Sequence, residues 1–272
     1  MNRLLKNCLY HYDRKEFNNL KIKVAQFNVT CNGDNIVQDD IFNIIRNYAR
    51  QNDTPLEILR YPIDDMEICA CTFLREGRIF VLINSAIPFG KQIFAAAHEL
   101  YHIYCYFKGN NPDFSQKGSI LKSAIIDDAD VQTEDMEANA FAGLFLAPEI
   151  LLRSQMAIYG INQEEMRNKD IYKLIDIFAI PYKAMVLRLY EEGILEEKAA
   201  EEFLNVPAEQ VEKEIALCKI GSRWQKTTSD SFEFGSLEEN LEVNNNLGFA
   251  AEERVAEDKR ALDEIKEVLS GK

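Results

Sequence analysis

The stretch Phe94–His102 reads FAAAHELYH and decides the fold. Apolar residues recur at helical spacing around it, which predicts a helix over about Lys91–Phe107. Within that helix His98 and His102 are four residues apart, so both imidazoles project from one face. Glu99 lies beside them. The pattern His-Glu-x-x-His is typical of a site where two histidines bind one metal ion and the glutamate takes a proton from water.

The motif needs a third metal ligand from elsewhere in the chain. A catalytic zinc ion usually has three protein ligands and one open position. The chain has only three histidines, and the third, His11, lies far upstream in the sequence. We therefore expect a carboxylate, or else a cysteine, as the third ligand. The candidates are Glu134, Asp135 and Glu137, which lie in a second predicted helix.

The elements before the motif predict a small β-sheet. Leu56–Arg60 is typical of a short strand, and Ile68–Asn84 of a β-hairpin with a turn around Gly77. A helix with Ile41, Ile44, Ile45 and Tyr48 on one face is expected to precede them, capped by Asp39 or Asp40. Alternating residues over Lys21–Thr30 predict a further strand. Together with the motif helix, these elements predict an α+β fold.

The chain after the motif is expected to be mainly helical. Residues 108–132 are polar and irregular, which predicts a surface loop or flap. Helices are expected over 133–147, 149–159, 163–178 and 181–192. We expect four parts: an N-terminal segment of uncertain structure (1–38), a core (39–160), a helical subdomain (161–205) and an acidic, partly flexible tail (206–272). The tail is expected to end in a charged helix and to be dispensable for zinc binding.

Composition excludes several function classes. The chain has 272 residues, 47% of them hydrophobic, as in an ordinary globular protein of one large domain or two smaller ones. Its 31 basic and 45 acidic residues give a formal charge of −14. Such a chain is a poor non-specific ligand for nucleic acid or for an anionic membrane. No apolar run approaches the ~20 residues that span a bilayer, and no signal peptide is evident, so a cytoplasmic protein is expected.

Cysteine usage also excludes one kind of metal site. The six cysteines form no Cys-x-x-Cys pair, so a zinc site built from four cysteines is not indicated. Cys69 and Cys71 are expected on one face of a strand. We expect all six to be reduced thiols, as in a reducing compartment.

Two downstream stretches complete a family resemblance. Asp135–Pro148 reads DMEANAFAGLFLAP, and Phe178–Ile194 reads FAIPYKAMVLRLYEEGI. Combined with the His-Glu-Leu-x-His motif, they resemble the ImmA/IrrE family of zinc metallo-endopeptidases over roughly Asp39–Leu195. The first motif alone indicates only a zincin, whereas the combination is fairly specific.

The resemblance implies a zincin-like, gluzincin-like core that binds Zn²⁺ through His98, His102 and Asp135. The family usually has glutamate where this chain has Asp135, so the second helix must lie closer to the metal. Of the three candidates, only Asp135 shares a helix face with Asn139, which would orient a ligand. Glu99 would be the general base. The implied substrate is a regulatory protein, typically a helix-turn-helix repressor of a phage or other mobile element.

Two other functions remain open from the sequence. The chain could be a non-catalytic, metal-containing interaction module in a repressor or toxin–antitoxin complex. Residues 171–190 also have the spacing of a helix-turn-helix. The second of those helices offers only Lys183 and Arg188 as basic residues, followed by Glu191 and Glu192. Direct DNA binding is therefore not expected.

Overall fold

The computed structural model describes residues 2–33, 35–109, 118–122 and 133–269. These residues form thirteen α-helices and one mixed sheet of five strands, so the α+β prediction is confirmed. The helices are α1 (Arg3–Asn7), α2 (Leu9–Tyr12), α3 (Arg14–Asn32), α4 (Ile41–Gln51), α5 (Phe89–Phe107), α6 (Thr133–Leu146), α7 (Glu149–Ile158), α8 (Asn168–Phe178), α9 (Tyr182–Glu191), α10 (Glu197–Leu204), α11 (Ala208–Cys218), α12 (Leu237–Asn246) and α13 (Glu252–Leu269).

The sheet has the strand order β4-β2-β3-β1-β5. Its strands are β1 (Leu56–Tyr61), β2 (Ile68–Arg75), β3 (Arg78–Asn84), β4 (Ser119–Lys122) and β5 (Glu233–Phe234). β1 runs parallel to β3, and the other pairs are antiparallel. β2 and β3 form the predicted hairpin. Glu76 and Gly77 both have positive φ at its turn, as a two-residue turn that follows the strand twist requires.

Helix α5 packs on β2 and β3, and α6 packs against α5 and α3. An aromatic cluster fixes this arrangement. The Phe27 ring of α3 lies 4.9–5.7 Å, centroid to centroid, from the rings of Tyr48, Tyr104, Phe141 and Phe145. These four rings come from α4, α5 and α6. The cluster therefore holds the motif helix against the helix that carries the candidate carboxylates.

The strand predicted over Lys21–Thr30 is wrong, because these residues belong to helix α3. The buried residues of α3 include Phe17, Leu20, Val24 and Phe27, which recur every three or four positions. Ile22 and Val29, which supported the alternating pattern, are exposed. The apolar residues of α3 are few and are separated by polar ones. The segment Lys21–Thr30 taken alone therefore resembles a strand, whereas the whole of Arg14–Asn32 has the spacing of a helix.

The loop predicted for residues 108–132 contains strand β4, which pairs with β2. The remainder of that segment, apart from Lys108, Gly109 and Gly118, lies outside the described residues. The helix predicted over 163–178 is divided into a 3-10 turn at Gln163–Glu165 and α8. Other predicted helices and strands are confirmed within a few residues.

A buried ion cluster fixes the end of α6 against α9. The Arg188 guanidinium is 1% exposed and donates to Glu191 Oε2 at 2.8 Å and to Glu192 Oε1 at 2.6 Å. It also donates to the Ala147 carbonyl oxygen at 3.2 Å. A Cβ atom on Gly143 would lie 2.7 Å from Arg188 Cδ, so glycine makes room for this side chain. The cluster therefore fixes the C-terminal part of α6.

The acidic tail contributes to the core, contrary to its expected character as an appendage of limited order. β5 extends the sheet by pairing with β1, and Trp224 is buried against α5 at Gly90. The expected terminal helix is confirmed as α13, in which Val255 and Leu262 are buried and Ile265 is exposed. The domain boundaries stay predictions.

Helices α6 and α7 meet at a bend of 45°. Pro148 follows the end of α6 and occupies the N-cap position of α7. Because proline has no backbone N–H, it cannot donate the hydrogen bond that would continue α6. Among the described residues, no single helix has the length and apolar character needed to span a membrane. Taken together, the bent pair α6 and α7 has that length and apolar character, by length and composition alone.

Candidate metal centre

The motif residues lie at the middle of α5, in the interior of the protein. His98, Glu99 and His102 are each at most 3% exposed. The Nε2 atoms of the two histidines are 3.1 Å apart. Two ligand atoms bound to one tetrahedral zinc ion at about 2.0–2.1 Å lie about 3.3 Å from each other. The separation in α5 is therefore that of two ligands of one ion.

Asp135, in the first turn of α6, completes the group. Its Oδ1 lies 3.7 Å from His98 Nε2. The ligand atoms of His98, His102 and Asp135 all lie within 4.8 Å of one another, so this group could hold a metal ion. It is the one group of three such side chains found among the described residues. Within those residues, three ligands leave room for a fourth, open position.

The hydrogen bonds of the histidines favour the tautomer that binds metal through Nε2. The Asn139 Oδ1 atom lies 3.0 Å from His98 Nδ1, and an amide oxygen only accepts, so Nδ1 carries the hydrogen. Glu134 Oε1 lies 3.0 Å from His102 Nδ1 and acts in the same way. A lone pair then remains on each Nε2. Two facing lone pairs repel unless a cation lies between them, so these residues fit a metal ion.

The other two candidate carboxylates have different contacts. Glu134 hydrogen-bonds the Nδ1 side of His102, away from the converging Nε2 atoms. Glu137 accepts a hydrogen bond from the Tyr101 hydroxyl. Neither belongs to the group that could hold an ion. Of the three candidates, Asp135 is the one whose carboxylate lies with the converging Nε2 atoms of the histidines.

Burial and charge shift the pKa values at this centre. Burial, and the charge that His102 carries when it is protonated, hold the pKa of His98 well below its usual value. Burial also lowers the pKa of His102, but the hydrogen bond with Glu134 and the charges of Glu99 and Asp135 outweigh it and raise that pKa. Burial raises the pKa of Asp135. A divalent cation would stabilise this desolvated site, because it favours the ionised carboxylates and the neutral imidazoles.

Glu99 is fully buried, and its two carboxylate oxygens differ in their hydrogen bonding. Its Oε2 accepts a hydrogen bond from the Ser119 hydroxyl of β4. Its Oε1 is buried and has no hydrogen-bond partner among the described residues. Burial raises the pKa of Glu99, while the His102 charge and the hydroxyls of Ser119 and Thr72 act in the opposite direction. A buried carboxylate oxygen without a partner is costly, so a water or substrate atom is expected there.

Sequence reasoning missed the two hydroxyls beside Glu99. Thr72 occupies an inward-facing position of a predicted strand, which by itself indicates only burial. Ser119 falls in the predicted loop, and its contact with Glu99 depends on the pairing of β4 with β2. No spacing in the sequence indicated either contact.

The weaker candidates lie outside the ligand group. His11 is exposed on α2. Tyr101 and Tyr104 pack on Phe141 in the core, with centroid separations of 5.4 and 6.1 Å. All six cysteines are free thiols. Arg188 of α9 is engaged by Glu191 and Glu192, so it does not offer its charge to a DNA phosphate.

Comparison with known proteins does not identify the chain, because no protein-family model matches it and a search of curated proteins finds no significantly similar sequence.

Proposed function

We propose that the chain is a zinc-dependent endopeptidase with a zincin-like core, of the ImmA/IrrE type, that cleaves a specific regulatory protein. The observation that carries the proposal is the convergence of His98, His102 and Asp135 beside a buried glutamate that follows the first histidine. A site that only needed metal for stability would not require Glu99. A zinc ion with a purely structural role usually has four protein ligands. The described residues provide three, His98, His102 and Asp135.

Zinc is the metal that this donor set favours, because two imidazoles and one carboxylate with an open position are typical of catalytic zinc. Held by these three side chains, zinc would polarise a scissile carbonyl and lower the pKa of water. The chain's own residues have separate tasks. Asn139 and Glu134 hold the two imidazoles in the ligating tautomer.

Glu99 is proposed as the general base. Its unpartnered Oε1 accepts a proton from the attacking water and then delivers that proton to the departing amine. The Ser119 hydrogen bond to Oε2 restricts rotation of the carboxylate and leaves Oε1 for the reaction. Burial excludes bulk water, so the proton is exchanged with the substrate and not with solvent.

Strand β4 supports a peptide as the substrate. Among the described residues β4 pairs only with β2, and it is an edge strand of the sheet that these residues form. Ser119 on this strand contacts Glu99. An extended peptide that added to β4 as a strand would pass beside the candidate base.

The substrate class rests on the family resemblance and not on a contact in this chain. A helix-turn-helix repressor of a phage or other mobile element is the proposed substrate, and the proposed location is the cytoplasm. The acidic balance of the chain favours a basic protein partner over direct contact with nucleic acid.

The test compares wild type with Glu99→Gln, both loaded with zinc. Each protein is added to a lysate of the cells that make it, and new protein N-termini are labelled and identified by mass spectrometry. Wild type is expected to produce one or a few new N-termini in DNA-binding regulators. Glu99→Gln, which keeps the shape of the side chain, is expected to reduce them by a factor of about 100 or more. Glu76→Gln, in the exposed β2–β3 turn, is the matched control.

Two results would contradict the proposal. Cleavage that survives Glu99→Gln would exclude the general base. Absence of any Glu99-dependent N-terminus, with a regulatory effect on a repressor that is equal for both proteins, would favour the alternative, a non-catalytic metal-containing interaction module in a repressor or toxin–antitoxin complex.

A further inference from the structure

A cavity of about 380 Å³ lies beside the candidate metal centre and is not used by the proposed reaction. It runs along one face of α5, from Lys91 past Phe94 and Ala95, and along the facing side of α6 at Met136, Asn139 and Ala140. Residues of α1, α9 and α11 also line it. Its volume is within the range of about 300–1,000 Å³ that is usual for small-molecule sites.

The lining of the cavity is mainly apolar. Leu4, Leu9, Leu121, Ile180, Val211 and Trp224 all contribute to it. Each of these side chains is largely removed from solvent by its neighbours in the fold. A cavity lined in this way favours an apolar chain, because burial contributes about 25 cal/mol for each Å² of apolar surface removed from water.

The charges on the cavity differ in sign from the rest of the chain. The protein has a net charge of −14, yet the lining has four basic and two acidic side chains. Of these, Arg188 and Glu191 neutralise each other. Lys91 and Lys122 are exposed, and neither forms an ion pair with a described residue. A ligand with an anionic end would therefore find, next to an apolar interior, two cations that have no ion-pair partner in the described part of the chain.

We propose that this cavity binds a small amphipathic anion, a carboxylate with an apolar chain of about ten carbons. The size of the ligand follows from the volume of the cavity. A water-sized group occupies about 30 Å³, so 380 Å³ holds roughly a dozen such groups. The apolar chain lies between α5 and α6, and the carboxylate lies at Lys91 and Lys122. Binding of such a ligand does not require the proposed peptidase function, although Asn139 borders both sites.

Trp224 makes binding directly measurable. It is the only tryptophan of the chain, and it lines the cavity. Decanoate, below the concentration at which it forms micelles, is titrated into the full-length protein while Trp224 fluorescence is recorded. We expect a saturable change with one decanoate per chain. Acetate, which lacks the apolar chain, is expected to give no change, and decan-1-ol, which lacks the charge, to bind at least tenfold more weakly.

Variants separate the two halves of the site. Lys91→Ala combined with Lys122→Ala is expected to weaken decanoate binding at least tenfold and to leave decan-1-ol unaffected. The matched control, Lys15→Ala with Lys198→Ala, changes two lysines outside the cavity and is expected to bind as wild type. Leu187→Phe fills part of the cavity and is expected to weaken both ligands at least tenfold. Circular dichroism checks that each variant is folded.

Three results would overturn the inference. One is the absence of a saturable fluorescence change with decanoate. Another is binding of many decanoate molecules per chain, which would indicate non-specific adsorption. The third is equal decanoate affinity in wild type, the double lysine variant and Leu187→Phe, which would place the ligand elsewhere.

Discussion

The hydrogen bond between His98 and Asn139 gives the sharpest prediction about the metal centre. His98 is 1% exposed, and the bond from its Nδ1 to Asn139 Oδ1 is 3.0 Å long. Asn139→Ala leaves a buried N–H without a partner, which costs about 1–3 kcal/mol. The imidazole also loses its preference for the ligating tautomer. At 1.4 kcal/mol for each factor of ten, we expect zinc affinity to fall roughly 10- to 100-fold, as found for groups that support metal ligands.

The equivalent bond of His102 is expected to matter less. The Glu134 side chain is 44% exposed, so water can replace its carboxylate as the acceptor for His102 Nδ1. Glu134→Ala is therefore expected to weaken zinc binding by less than about tenfold. Asn139→Asp keeps an acceptor oxygen and is expected to retain the affinity of wild type.

Zinc affinity is measured by competition with a chromophoric chelator. Asn240→Ala, an exposed asparagine of α12, is the matched control and is expected to bind zinc as wild type. The reasoning would be refuted if folded Asn139→Ala bound zinc within twofold of wild type. It would also be refuted if Glu134→Ala lost more affinity than Asn139→Ala.

Three further predictions concern stability, each measured by urea denaturation. Arg188→Ala leaves two glutamates buried without their partner, so we expect the free energy of unfolding to fall by about 3–5 kcal/mol. A variant that also changes Glu191 and Glu192 to glutamine should lose much less stability. Equal losses of stability in the two variants would contradict this prediction. Deleting residues 206–272 removes Trp224 and β5 from the core, so we expect the free energy of unfolding to fall by at least about 3 kcal/mol, and an unchanged unfolding midpoint would restore the view of the tail as an appendage of limited order. Hydrogen bonds from Lys21 and Arg153 lower the pKa of Glu149 from 4.5 to about 2, so its contribution to stability is present above pH 4.5 and is lost as the pH falls towards 2. Glu149→Gln should therefore be less stable than wild type at pH 7, by under about 1 kcal/mol because this carboxylate is partly exposed, and a difference that grew on acidification would contradict the sign.

The parts of the fold that could be predicted are those set by local sequence. The α5 helix carries a long run at helical spacing, and the β2–β3 hairpin has a turn at Gly77 that its backbone requires. By contrast, β5 is two residues long and pairs with β1 across more than 170 positions of sequence. No local pattern indicates such a pairing. The β4 strand was missed for the same reason, and α3 was assigned to a strand because its apolar stripe is thin.

The candidate site divides in the same way. The His98 and His102 pair follows from helix geometry alone, because a spacing of four residues places both on one face, and Glu99 lies beside them. The choice of Asp135 needed the family resemblance, since Glu134, Asp135 and Glu137 are all carboxylates of one predicted helix. Only the way in which α6 approaches α5 determines which of them lies at the histidines. The Ser119 contact with Glu99 is tertiary and has no counterpart in the sequence.

The central claim is tested most directly by the zinc content and affinity of three proteins: wild type, Asp135→Ala and Glu137→Ala. Elemental analysis after reconstitution gives the stoichiometry, and chelator competition gives the affinity. The account predicts about one zinc ion per chain in wild type and in Glu137→Ala, with a sharp loss in Asp135→Ala. Wild-type protein that binds no zinc, or Asp135→Ala that keeps full affinity while Glu137→Ala loses it, would contradict the account.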